Sequence, residues 1–225
     1  MRYSPKNYVP ALGYHWLTPF YDLLMGIAGQ GERLMQAFIM QAQLDNAKQL
    51  LDLGCGTGSL AMLIKHDFPV IDVTAFDCDQ KILSIAVNKA FKAQVDIQFV
   101  QAFAEHLPCQ VNCFDRILSS LLFHHLSWDK KQQVASEIFR VLKPGGELHV
   151  LDWGRARNGL MRTLFLAVQL VDGFGNTRDN VSGRLVELFE AAGFSQVSEQ
   201  QSFNTVFGTL VHYRALKGNA ELPEN

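Results

Sequence analysis

Three glycines at alternate positions, Gly54, Gly56 and Gly58, interrupt the run LLDLGCGTGSLAMLI between Leu50 and Ile64. Glycine weakens strands and helices alike, so such a cluster serves a special backbone path or a ligand that approaches the main chain closely. A tight turn from strand to helix is satisfied by one glycine, and three point to a ligand. Two nucleotide-type ligands compete for such a loop. A dinucleotide fingerprint spaces its glycines GxGxxG and would require glycine at Ser59, whereas this loop reads GxGxG. A second possible chemistry is that of the cysteines. Cys109 and Cys113 form a CxxxC pair, but no neighbouring CxxC or HxxxH completes a four-ligand set, so no metal site is expected. With Cys55 and Cys78 they read as structural thiols, and thiol chemistry on a soft substrate is the minor alternative.

The elements that must position this loop follow from the pattern around it. QLLDL is a short apolar strand, and SLAMLIKHDF beyond the glycines has apolar residues at helical spacing. IDVTAF is a β-branched strand ending at Asp77, and Asp79 is placed to cap the helix QKILSIAVNKAF. DIQFVQ and FDRILSSLLF read as the third and fourth strands. Ser127 and Asp129 open a helix with an apolar stripe of Val134, Ile138, Val141 and Leu142, which KPGG is expected to end. GELHVLDW is the fifth strand, followed by the helices GLMRTLFLAVQLVDGF and RLVELFEAAGF and by the strand-like runs SQVSEQQSF and TVFGTLVHYRAL. Alternation at this spacing predicts a doubly wound α/β domain with a mostly parallel sheet, closed by a C-terminal antiparallel hairpin. Residues 1–45 are read as an N-terminal helical cap, 46–217 as the ligand-binding domain and 218–225 as a flexible tail. In such folds ligands sit beyond the carboxyl ends of the strands, where the first strand turns into its helix.

Composition narrows the function classes. The 225 residues carry a formal net charge of −2, which gives no basic face for nucleic acid. No stretch approaches the roughly 20 apolar residues of a spanning helix. The N-terminus lacks the apolar core of an export signal, and the cysteines form no disulfide framework, so a cytoplasmic protein is expected.

DLGCGTG, an acid 19 residues beyond Gly58 at Asp77, FDRILSSLLFHHL and EIFRVLKPGGELHVLDW, in that order, resemble the motifs of class I S-adenosylmethionine-dependent methyltransferases. Within them the chain looks most like the small-molecule enzymes similar to the ubiquinone/menaquinone-biosynthesis C-methyltransferases. The resemblance implies a seven-stranded Rossmann-like methyltransferase fold with S-adenosylmethionine as cofactor and S-adenosylhomocysteine as product. It implies that Asp52 faces the methionyl ammonium, that Gly54, Cys55, Gly56 and Thr57 admit the cofactor's tail, and that Asp77, with Cys78 beside it, accepts from the ribose hydroxyls. Ser119 and Ser120 offer backbone groups near the methionyl part, and Tyr21, followed by Asp22, folds over the cofactor. One departure stands out. Where the family often has an acid after the third strand, this chain has Phe103 in QAFAEHLP. Phe103 either packs against the adenine or belongs to the core, the Ala104 amide reaches a ring nitrogen, and Glu105 is the substitute polar partner.

A sulfonium methyl group is already activated, so such an enzyme mainly aligns the nucleophile and excludes water. A general base is needed only where the nucleophile loses a proton, and His124 or His125, just beyond the fourth strand, suits that task. Asp152 and Trp153 are further residues for the pocket wall. The acceptor is expected to be a small, apolar or amphipathic molecule enclosed by Tyr14, His15, Trp16, Phe20 and Tyr21 and by the helix after strand five. The alternatives are an NAD(P)-binding oxidoreductase-like protein, or a methyltransferase acting on RNA or protein.

Overall fold

Strand β1 (Gln49–Leu53) is almost wholly buried, which requires helices on both faces of the sheet that contains it. The computed structural model of the protein describes residues 31–219 apart from 206. β1 runs parallel to β2 (Asp72–Asp77) on one side and to β4 (Phe114–Ser120) on the other. β3 (Gln98–Gln101) lies outside β2, and β5 (Leu142–Trp153) outside β4. β6 (Ser195–Thr205) and β7 (Gly208–Leu216) complete the seven-stranded order β3-β2-β1-β4-β5-β7-β6, with β7 antiparallel to both neighbours. The direction of winding reverses between β1 and β4, and this opens a crevice at their carboxyl ends.

Each sheet face carries its own core. On one, Val134, Ala135 and Ile138 of α4 (Trp128–Val141) and Leu185, Leu188 and Phe189 of α7 (Leu185–Ala191) pack over Ile117, Leu148 and Val150. On the other, α1 (Gly31–Gln41), α2 (Ser59–Asp67), α3 (Gln80–Ala93) and α5 (Gly159–Asp172) pack over Leu50, Ala75 and Leu151. Each fully buried aliphatic or aromatic side chain contributes about 1.5–3 kcal/mol. Leu34, Phe38 and Ile39 tie α1, the described part of the N-terminal segment, into this second core. Among the described residues no helix is long and apolar enough to cross a membrane.

The elements expected from the sequence are present, with Asp79 capping α3 through bonds from the amides of Lys81 at 2.8 Å and Ile82 at 3.4 Å. Three local features differ. The helix expected to end at KPGG stops earlier, at Val141, and Lys143–Gly146 form the irregular start of β5. Proline at 144 disfavours helix in the residue before it, and the register then slips, with Phe114 facing Leu142 but Arg116 facing Glu147. The stretch FGNTRDNV, given no element of its own beyond Phe174, forms α6 (Phe174–Val181). Strand four ends at Ser120, and Leu121 turns into the left-handed region with φ 57°. Such a conformation in a branched residue is held by its surroundings and is common beside functional sites.

Candidate active site

The glycine loop is fixed to the neighbouring strand before any ligand is considered. The amides of Gly54 and Cys55 both donate to Phe76 O, at 2.8 and 2.9 Å. Asp77 then braces the loop against α3, because Oδ2 accepts from the Gly56 amide and Oδ1 from the Asp79 amide, each at 2.9 Å. A β-carbon at Gly56, where φ is 53°, would meet none of the described residues within 4 Å, so among them this is the open side of the loop. A β-carbon at Gly58 (φ 77°) would sit 3.1 Å from both Ala86 and Phe99, so this glycine lets α2 and α3 approach. Lys89 adds a pin from α3, with Nζ 3.2 Å from Thr57 Oγ1 and 2.9 Å from Ser59 Oγ.

Asp52 ends β1 with its side chain buried, and its Oδ2 has no hydrogen-bond partner among the described residues. Burial pushes its pKa up to about 7; the Ala61 amide draws it down, and the neighbouring Asp77 charge raises it further. Burial also raises Asp77, against the amides of Asp79 and Gly56 that favour its charged form. Burial raises the Cys55 thiol, and it pushes the Cys78 thiol up to about 12, so neither is a ready thiolate near neutral pH. Among the described residues no cluster of His, Cys, Asp and Glu could hold a metal ion.

The fourth strand closes the far wall. Ser119 is buried, with Oγ donating to Leu53 O at 2.9 Å, and Ser120 Oγ lies 3.8 Å from Met35 Sδ on α1. A β-carbon on Gly54 would press on the Leu122 side chain at 3.1 Å, so the turn after β4 touches the glycine loop directly. That turn carries Phe123, His124 and His125 in one short 3₁₀ segment. His124 is buried against Asp152 at the end of β5, with Nδ1 2.9 Å from Oδ1, and the two histidine rings lie with centroids 3.9 Å apart, their planes inclined by 42°. Burial, and then the charge of His124, lowers the His125 pKa well below its ordinary value.

At the end of β3, the Ala102 amide donates to Asp77 O at 3.0 Å, so the stretch that follows starts beside Asp77. Phe103 is half-buried and, among the described residues, lies outside both apolar cores. Ala104 packs against the first core, and Glu105 accepts from Lys130 Nζ at 3.0 Å. Tyr21 and the other aromatic residues of the N-terminal segment lie outside the described residues.

Residues 50–146 match the family described as a methyltransferase domain. The chain is 31% identical over 151 residues to a ubiquinone/menaquinone biosynthesis C-methyltransferase of Syntrophotalea carbinolica, an alignment covering 66% of this chain and 63% of that protein. It is 28% identical over 237 residues to the enzyme of the same description from Stutzerimonas stutzeri, covering 95% and 91%. Alignments to the first such relatives therefore span a little under two thirds of their length. In fold it is similar to a Haemonchus contortus phosphoethanolamine N-methyltransferase solved with S-adenosyl-L-methionine, with a TM-score of 0.75 at 16% identity over 93% of this chain and 59% of that one. Over residues 50–146 the chain thus resembles methyltransferase domains, and its fold is that of the solved methyltransferase.

The residues present fit S-adenosylmethionine, the cofactor of the class that the sequence resembles. Among the described residues nothing crowds Gly56, and a carboxyl oxygen of Asp52 has no partner, an arrangement suited to a cationic ammonium. Each Asp77 oxygen has further acceptor capacity beyond the one backbone amide assigned to it. Sequence reasoning missed the support behind the histidines. Lys131 and Asn176 were not singled out, nor was Asn180, which donates to Asp152 Oδ1 at 3.1 Å. A signal for Lys131 was present: it stands three residues before Val134, on the buried stripe of α4.

Proposed function

We propose that the protein transfers a methyl group from S-adenosylmethionine to a ring carbon of a small, largely apolar hydroquinone-type acceptor. The single observation that carries this reading is the Asp77-braced glycine loop, open at Gly56 and backed by a buried Asp52 carboxyl oxygen without a partner among the described residues, with the turn that carries His124 and His125 against it. Bound there, the cofactor would supply a methyl group on a positively charged sulfur, already activated for displacement. Asp52 would hold the ammonium, Asp77 the ribose hydroxyls, and Phe103 would border the adenine. One of His124 and His125 would take the proton that a phenolic ring loses as it becomes nucleophilic.

The acceptor class draws support from the named relatives, whose descriptions are of quinone-biosynthesis C-methyltransferases, and from the apolar wall beyond β5, where Trp153 and Phe165 stack with centroids 5.2 Å apart. Such walls suit a flat apolar ligand. The cofactor domain of this reading is residues 46–217, with residues 1–45 as its cap and 218–225 as a tail. No specific observation favours hydride transfer with NAD(P), or an RNA or protein acceptor.

Titration calorimetry separates the readings. S-adenosylmethionine and S-adenosylhomocysteine should compete for one site, and NAD should give no heat. Asp77→Ala should weaken cofactor binding by about tenfold or more, from the roughly 1.5–3 kcal/mol of charge-assisted hydrogen bonds. NAD binding at the same site, or unchanged affinity in a folded Asp77→Ala protein, would overturn the assignment.

A further inference from the structure

Five hydrogen bonds converge on Asp152, a fully buried side chain at the end of β5. Phe123 N at 2.7 Å and His124 N at 3.4 Å reach Oδ2. Trp153 N at 2.7 Å and Asn180 Nδ2 at 3.1 Å reach Oδ1, which also meets the His124 ring at Nδ1, 2.9 Å away. Four of these partners can only donate, so Asp152 acts throughout as an acceptor and the fifth partner, the His124 ring, meets it as a donor too. The imidazole therefore carries its proton on Nδ1 and presents Nε2 as its basic nitrogen.

The surroundings keep this pair in place. Lys131 is fully buried, donating to Asn176 O at 2.6 Å with Nζ 3.6 Å from Asp179 Oδ2, and Asp179 is held in turn by Arg184 at 2.8 Å. Asn176 Nδ2 donates to His125 O at 3.1 Å, so α6 clamps the histidine turn from outside. Among the described residues, Asp152, His125, Lys131, Asp179 and Arg184 are titratable groups near His124, from its own turn, from β5, from α4 and from α6 with the residues just beyond it.

We propose that Asp152 is a positioning residue for methyl transfer, fixing His124 as the Nδ1–H tautomer so that His124, and not His125, receives the acceptor's proton at Nε2. The inference rests on the proposed function above, since only an acceptor that loses a proton needs it. The balance is closed. A ring-carbon electron pair forms the new C–C bond to the methyl, the C–S bond breaks with its pair going to sulfur, and the proton released by the ring passes to Nε2. The resulting imidazolium is stabilised by the Asp152 carboxylate, as in the Asp-His pairs of hydrolases. The Asp152 carboxylate bonded to the His124 ring marks that ring as the one to carry the proton, and two imidazolium rings with centroids 3.9 Å apart would repel.

Two arms test this on the full-length protein. In nitrogen-15 NMR of the resting protein, His124 should show a protonated Nδ1 and a basic Nε2; an Nε2–H tautomer would overturn the proposal whether or not any acceptor is methylated. In kinetics with a demethylated hydroquinone, Asp152→Asn should lower kcat about 10²-fold or more, with cofactor affinity unchanged. His124→Gln keeps a donor for Asp152 but has no basic nitrogen, and Asp152→Asn added to it should cost little more. Additive losses, or a folded Asp152→Asn protein with wild-type kcat, would remove Asp152 from this role. If wild-type protein binds the cofactor but methylates no hydroquinone, the acceptor reading fails while the NMR arm still decides the tautomer.

Discussion

Asp52 holds the most exposed prediction at the scale of single residues. Its carboxyl is buried, one oxygen lacks a partner among the described residues, and its pKa is pushed up from 3.8 to about 7. Between those values the folded protein keeps a proton that the unfolded chain has released, so Asp52's contribution to stability falls as pH rises through that window. A bound ammonium reverses the preference by favouring the carboxylate. Cofactor affinity should therefore rise with pH toward 7, by at most about tenfold per unit, and then level off. Calorimetry at pH 6 in buffers of different ionisation enthalpy should register proton release on binding, and Asp52→Asn should abolish it. Affinity independent of pH in wild-type protein would show that the ammonium lies elsewhere. The position of Asp52 was legible in the sequence, as an acid at the end of an apolar strand. Its orphaned oxygen was not, because that depends on how α2 packs over the strand end.

At the scale of elements, the glycine loop separates stability from binding. Gly56 and Gly58 both adopt positive φ, a conformation costing other residues about 1–2 kcal/mol. Only Gly58 is crowded, by Ala86 and Phe99, whereas nothing among the described residues crowds Gly56. Gly58→Ala should lower the urea midpoint more than Gly56→Ala, with cofactor affinity near wild type once folded. Gly56→Ala should weaken the cofactor at least tenfold while costing less stability. Wild-type affinity in Gly56→Ala would mean that the ligand does not approach over that residue. The loop was legible because three glycines between a strand and a helix have few explanations. Helix α6 was not, since Gly175, Asn176 and Asn180 are poor helix formers. What holds it is tertiary: Thr177 is bonded by Gln169 at 3.0 Å, Asp179 by Arg184 and Asn180 to Asp152.

Across the whole molecule, the site is a consequence of winding. Strands β1, β2 and β3 build outward on one side and β4 and β5 on the other, and the antiparallel β7 fills the place beside β5. The alternation of strands and helices made this readable, as did the short link in the C-terminal hairpin. The polar seam that seats α1 was not readable, because its members are far apart in the chain. His149 Nδ1 lies 3.0 Å from His212 Nε2, Glu147 bonds both His149 at 3.1 Å and Arg214, and His212 meets Gln41 of α1 while Phe38 packs edge-on against it. Burial lowers both histidines, His212 to about 3, so they remain neutral beneath the helix at ordinary pH. Fold alone does not fix the reaction, so the central claim is tested by chemistry. The most direct measurement is incubation of the full-length protein with methyl-labelled S-adenosylmethionine and a demethylated, polyprenyl-substituted hydroquinone, followed by mass spectrometry of the quinone. One labelled methyl on a ring carbon, lost in Asp77→Ala, is the expected result; label that stays on the cofactor, or appears on oxygen, RNA or protein, would contradict it.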